Sequence, residues 1–353
     1  MQPRSSGAAI ALVAGLAVTL TACGGGDPAP AAAPTDDAQP VVVTSTDVYG
    51  AVARAVGGDL VTVTSLIDDP AADPHSYEST PADAAAMAGA QLVVFNGGGY
   101  DAFIPPLIDA SGANPAVIDV VELSGLEAAA GAAEAAEPAA EAEGGHGHAE
   151  GEEAHGHEEG AEEGTEEGTE EHGHEHGALN EHVWYSLPTM QQLATRLATD
   201  LGALDPDDAA AYTANAEQFS AQIDELITKA EAVAAAHPGA RIAVTEPVPG
   251  YLLETAGLTD VTPPAFTEAV EEDTDPPAAA LAETLALFGP DPVAVLVANP
   301  QTATPSTDQV RAAAQTGGVP IVEFTETLPE GTTDYPSWMG AQIDALAGAL
   351  DQS

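Results

Sequence analysis

The sequence predicts an α/β protein of two parallel-sheet lobes joined by one long rigid helix. Three observations carry this prediction. Short apolar runs alternate with helical stretches between residues 41 and 118 and again after residue 240, the pattern of strands and crossover helices. Between them, apolar residues recur every three or four positions from Tyr212 to Val233, the single stripe of one long helix. At 353 residues with 44% hydrophobic content, the chain can fill two cores.

The elements follow in order. Arg4 precedes an apolar run from Ala8 to Leu20, which ends in Leu20-Thr21-Ala22-Cys23. A charged start, a short apolar run and small residues mark a secretory signal over 1–22. The run is too short for a membrane span. Its ending resembles the bacterial lipoprotein cleavage motif, so Cys23 is expected to be lipidated and to anchor the chain at the extracytoplasmic face of the cell membrane. As the single cysteine, it excludes an internal disulfide. Residues 23–40, rich in Gly, Pro and Ala, read as a tether.

The first lobe, 41–204, opens on the strand Val41–Thr44, a helix over 46–57 and an alternating strand from Leu60 to Ile67. Thr80-Pro81-Ala82-Asp83 starts a capped helix. Leu92–Phe95 is a buried strand that ends at Asn96 and three glycines, and Val117-Ile118 is another short strand. Residues 124–179 interrupt the lobe. They hold Ala, Glu, Gly and His with no Lys or Arg, and such a composition buries too little to offset chain entropy, so disorder is expected. The linking helix, 205–237, starts near Asp205–Asp208 and is stopped by Pro238-Gly239. About 30 residues of helix span about 45 Å, enough to run along two lobes. The second lobe, 238–353, has strands at Ile242–Thr245, Val293–Ala298 and Val319–Phe324. Pro320 places the last at an edge or strand start. Helices are expected near 276–289, 305–316 and 336–350.

Charge narrows the function. The chain carries 57 acidic residues against 6 Lys and Arg, a net charge of -51. Such a surface repels nucleic acid and anionic headgroups and attracts cations. Four stretches place metal-type ligands where strands should end: DPHSYE (73–78), NEHVW (180–184), VTEP (244–247) and FTET (324–327). Singly each is weak. A loop histidine is usually solvated, a strand-end glutamate often caps, and His237 suits the end of a helix dipole. Together they gain force, because only three histidines lie outside the insertion and two of them fall in these loops.

The stretches DPHSYESTPAD (73–83), LVVFNGGGYDAF (92–103), NEHVWYSLP (180–188), VTEPVPGYLLETAGL (244–258) and FTETLPEG (324–331) resemble the metal-specific solute-binding lipoproteins of bacterial ABC uptake systems for zinc and manganese. That resemblance implies a metal held between two lobes and delivery to a permease and its ATPase. It implies His75 and His182 as ligands from lobe one, with Glu246 and Glu326 as ligands from lobe two. Glu246 departs from the histidine of zinc-type members toward the manganese type; at 326 many members carry Asp. Glu78 would orient a ligand or cap its own loop. Two neutral imidazoles and two carboxylates balance a divalent cation, zinc tetrahedrally or manganese with added oxygens. A closed four-ligand site suits holding rather than catalysis.

His182 thus belongs to an enclosed site. His146, His148, His155, His157, His172, His174 and His176 belong to the insertion and are expected to bind zinc weakly. The expectation is a monomeric, lipid-anchored carrier that is not an enzyme, with zinc as cargo and manganese as the alternative. Two other readings stand beside it: a metallo-hydrolase, which would need an acid/base beside the histidines, and a metal-buffering or adhesive surface protein.

Overall fold

The computed structural model describes residues 39–126 and 180–353, apart from residues 71 and 73 and the side chain of His75. The expected signal peptide, Cys23, nearly all of the tether, and the seven histidines of the insertion lie outside the described residues. Lobe one runs β1 (Val41–Thr46), α1 (Asp47–Gly57), β2 (Thr62–Ile67), α2 (Pro81–Ala88), β3 (Leu92–Phe95), α3 (Ile104–Ser111), β4 (Ala116–Asp119) and α4 (Val120–Ser124). All its strands are parallel, in the order β2-β1-β3-β4. Val43 of the central β1 faces Val93 of β3, and Val93 faces Val117 of β4. All four residues of β3 are buried, as a continuous apolar run in a covered parallel sheet requires. At α2 the expected cap is present: Thr80 Oγ1 accepts from Asp83 N, and Asp83 Oδ2 accepts from Thr80 N.

Two helices then run side by side, α5 (Leu187–Leu204) and α6 (Ala209–Ala236). The stripe read from the sequence is the buried face of α6: Tyr212, Ala216, Phe219, Ile223, Leu226, Ala230 and Val233. The helix begins at Ala209 rather than in the acidic run. Tyr212 instead donates back to Asp205 Oδ2 at 3.1 Å. Its 28 residues span about 42 Å.

Lobe two repeats the plan: β5 (Arg241–Val244), α7 (Gly250–Thr255), β6 (Thr259–Asp260), α8 (Pro264–Glu271), α9 (Ala278–Ala286), β7 (Val295–Ala298), α10 (Pro305–Gly317), β8 (Ile321–Glu323) and α11 (Tyr335–Leu350). The strand order is β6-β5-β7-β8, again parallel. Pro320 precedes β8, which is an edge strand. α6 meets both lobes. Asn215 Nδ2 donates to Val56 O of α1 at 2.9 Å, and Lys229 Nζ donates to Asp344 Oδ2 of α11 at 2.6 Å. One apolar core accordingly runs from Val42 and Val94, through α5 and α6, to Ile242 and Val297. No helix among the described residues is long and apolar enough to cross a membrane.

Candidate metal centre

In parallel sheets every strand ends on the same side, and the loops beyond those ends gather there. On the lobe-one side the turn after β3 sets the geometry. Gly97, Gly98 and Gly99 all have positive φ, which a side chain disfavours. The Asp101 carboxylate closes the turn by accepting from Asn96 N at 2.6 Å and Gly97 N at 2.9 Å. Burial pushes the Asp101 carboxyl up to about 6, against those hydrogen bonds. Asn96 Nδ2 donates to Glu181 O at 2.9 Å, which ties the NEHVW stretch to the end of β3. His182 is 1% exposed. Its ring lies 5.0 Å from Trp184, and Trp184 lies 4.7 Å from Tyr100. Asn180 Oδ1 accepts from His182 N at 3.0 Å and sits 2.7 Å from Nδ1.

On the lobe-two side two glutamates follow strand ends. Glu246, 4% exposed, lies just past β5 and accepts from Thr302 Oγ1 at 2.6 Å. Glu326, 1% exposed, follows β8. Its Oε1 accepts from Asn299 Nδ2 at 2.8 Å, and its Oε2 accepts from Tyr100 OH at 3.0 Å. Burial, then the Glu326 charge, pushes the Tyr100 phenol well above its usual range, so Tyr100 stays a donor. Gln301 holds the backbone: its Oε1 accepts from Glu326 N at 2.6 Å, and its Nε2 donates to Ala72 O at 2.9 Å. That last bond reaches the loop that carries His75.

The lobes meet at His182. Its Nε2 lies 4.0 Å from Glu326 Oε2, while Glu271 Oε1, from the end of α8, lies 3.7 Å from Nδ1. Among the described residues Glu181, His182 and Glu271 form one group whose ligand atoms lie within 4.8 Å of one another. Of the four residues expected as ligands, His182 and Glu326 are thus brought together, and Glu246 is buried past the end of β5, two strands from β8. The backbone of His75 forms a helical turn over Pro74–Ser76 at the lobe-one rim. Glu78 is exposed where it precedes the Thr80 cap.

The sequence reading missed Glu271, Tyr100, Thr302, Asn299 and Gln301, and it left Asn180 and Glu181 without roles. Glu271 gave no signal because α8 itself, opened by Pro263-Pro264, was not expected. Asn180 and Glu181 flank His182 in the stretch already singled out, so their proximity was the available clue.

The family model described as zinc-uptake complex component A, periplasmic, matches residues 42–349. The manganese-binding lipoprotein MntA of Halalkalibacterium halodurans is 25% identical over 185 residues, 52% of this chain and 46% of that protein. The match therefore spans about half the length of that relative. Among solved structures, ZnuA matches with a TM-score of 0.62 and 22% identity, over 88% of this chain and 99% of its own. FpvC from Pseudomonas aeruginosa, in complex with Mn2+, matches with a TM-score of 0.61 and 21% identity, over 89% and 99%. The periplasmic zinc binding protein TroA from Treponema pallidum matches with a TM-score of 0.61 and 17% identity, over 88% and 99%. At these identities the likeness to solved structures establishes the two-lobe fold.

Proposed function

The chain belongs to the family of the periplasmic zinc-uptake complex component A, whose members are solute-binding proteins and not enzymes, and from that premise we propose that it captures a divalent metal ion, zinc first, and hands it to an ABC permease. One observation carries the reading: the buried His182 Nε2 of lobe one faces the buried Glu326 Oε2 of lobe two at 4.0 Å. Each partner is oriented by its own hydrogen bonds, so a cation would find ligands held before it arrives.

The proposed ligands are His75, His182, Glu246 and Glu326. Two imidazoles and two carboxylates neutralise a 2+ ion, which lowers the cost of burying it. Ligand bonds of about 2.0–2.2 Å at a tetrahedral angle require the 4.0 Å pair to close by about half an ångström around the ion. Binding needs deprotonated ligands, so cargo affinity falls in acid. Manganese is the second reading, favoured by Glu246 and by the relative named for manganese. The insertion histidines (His146, His148, His155, His157, His172, His174 and His176) would bind zinc weakly beside this site. Lipidated Cys23 would anchor the carrier, as a monomer, at the extracytoplasmic face. The permease and ATPase would be separate chains.

Elemental analysis of protein purified without added metal, followed by zinc–manganese competition, tests the reading. One tightly held equivalent of zinc is expected; a chain that retains no divalent ion and binds none tightly overturns it. Deleting 143–177 should remove weak zinc sites and keep the tight one. Loss of tight binding in that deletion would instead place the tight site in the insertion.

A further inference from the structure

Asn180 has a bonding pattern that fixes its orientation. Its Nδ2 lies 2.7 Å from Pro247 O. A carbonyl only accepts, so the amide nitrogen must face Pro247. Its Oδ1 therefore faces His182, as the bond from His182 N at 3.0 Å independently requires. That same Oδ1 is 2.7 Å from His182 Nδ1. An amide oxygen only accepts, so Nδ1 carries a proton, and in the neutral imidazole Nε2 then presents its lone pair on the Glu326 side. The Asn180 backbone is also held from lobe two, because Tyr251 OH donates to Asn180 O at 2.6 Å. Finally, the amide occupies space that only glycine leaves: a Cβ at Gly250 would meet Asn180 Nδ2 at 2.7 Å.

We propose that Asn180 is a positioning residue that makes the metal-ready tautomer of His182 conditional on contact between the lobes. The amide is oriented by His182 N within lobe one and by Pro247 O from lobe two, and its backbone is held by Tyr251; Pro247 and Tyr251 both lie in the segment that follows Glu246. When that segment is seated, Asn180 offers its oxygen to Nδ1 and Nε2 is ready for cargo. When the segment withdraws, the amide keeps only the bond from His182 N, and the tautomer restraint on the imidazole weakens. Seating of lobe two and readiness of a lobe-one ligand are then one event. Release follows if the permease parts the lobes. The inference rests on His182 as a cargo ligand.

The test reads tautomer and affinity separately. Imidazole 15N shifts of His182, assigned by difference with His182→Gln, are recorded on the metal-free full chain. Zinc affinity is measured by chelator competition. In the parent, Nδ1 should be protonated. Asn180→Ala should mix the tautomers and weaken zinc about 10- to 100-fold, the range for partners behind a ligand. Asn180→Asp keeps the acceptor but loses the bond to Pro247, so the tautomer should be retained and affinity should recover to within about tenfold of the parent. Gly250→Ala touches no ligand, yet it should displace the amide and shift both readouts in the direction of Asn180→Ala. Circular dichroism of each variant confirms the fold.

A parent His182 whose neutral ring carries its proton on Nε2 and not on Nδ1 overturns the proposal. So does an unchanged tautomer in both Asn180→Ala and Gly250→Ala. If the parent binds no zinc, the cargo reading fails on its own account, and the tautomer result in metal-free protein still decides the role of Asn180.

Discussion

The two lobes share one plan and differ in what they bring to the cleft. Each is a four-stranded parallel sheet in which the first strand lies between the second and the third. Lobe one is the better-zipped sheet: β1 pairs with β2 from Val41 to Thr46, whereas β5 pairs with β6 only at Arg241 and Ile242. Lobe one presents the imidazole of His182 with the Glu181 carboxylate near it. Lobe two presents carboxylates at Glu246, Glu326 and Glu271, each in contact with lobe one or with a donor of its own. The repeated frame differs in donor chemistry: the imidazole comes from lobe one, and lobe two supplies more of the carboxylates, so a cation held between them, as proposed, would offset the charge they bring together.

The comparison depends on the lobes sharing one helix, so the largest expected effect comes from breaking it. Phe219 of α6 is fully buried, with its ring 5.9 Å from that of Tyr335 in lobe two. Phe219→Ala should cost about 3–5 kcal/mol by denaturant unfolding. Calorimetry should show whether the shared core holds the lobes in one transition; two transitions already present in the parent would mean that α6 does not couple them. Next comes the nitrogen side. His182→Ala should weaken zinc by at least about 100-fold, since even partners behind a ligand give about 10- to 100-fold. Chelator competition reads this, and parent-like affinity would remove lobe one's part in the comparison.

Much of this frame was legible in the chain. The α6 stripe was readable because seven apolar residues at helical spacing all face one core. The β3 run and the Thr80 cap were readable because their signals are local. The helices α3 and α8 were not, since each opens on a proline pair, Pro105-Pro106 and Pro263-Pro264, that reads as a break although proline is tolerated in a first turn. Glu326 stood out as a ligand type just past a strand, and His182 as one in the loop that follows the insertion. Tyr100, Asn299 and Gln301 did not, because a side chain that orients another across 25 to 226 positions of sequence leaves no periodic trace. The seven insertion histidines remain a reading of the sequence.

The seam between the lobes also carries a pH signature. Asp47, at the start of α1, accepts from Leu328 N of lobe two at 3.2 Å. Burial pushes its carboxyl up to about 6, with the Leu328 bond pulling only partly the other way. In the unfolded chain it titrates near 3.9. Below about pH 4 both states hold the proton and burial costs nothing. Between about 4 and 6 the folded state keeps a proton that the unfolded state has lost, so stability falls as pH rises, by about 2–3 kcal/mol, and then levels. Asp101 adds the same sign over the same window. Asp47→Asn should therefore be more stable than the parent at pH 7 by about 1–2 kcal/mol and show a shallower slope. Urea midpoints of metal-free protein at pH 4 and pH 7 measure it; a steeper slope in the variant would contradict the assignment.

The smallest effect sharpens the division of labour most. Glu271 Oε1 lies 3.7 Å from His182 Nδ1, whereas Glu326 faces Nε2, and the Glu271 side chain is 13% exposed. A carboxylate there supports the imidazole electrostatically without a direct place beside Nε2. Glu271→Gln keeps shape and hydrogen bonding while removing the charge, so zinc affinity should fall by about tenfold or less. His182 should keep its proton on Nδ1, because Asn180 still accepts it. If the loss instead equals that of His182→Ala, Glu271 is itself a ligand, lobe two supplies three carboxylates, and the oxygen-rich set favours manganese over zinc. Zinc–manganese competition on the same variant separates the two outcomes, because removing a supporting charge weakens both ions together, whereas removing an oxygen ligand weakens manganese more.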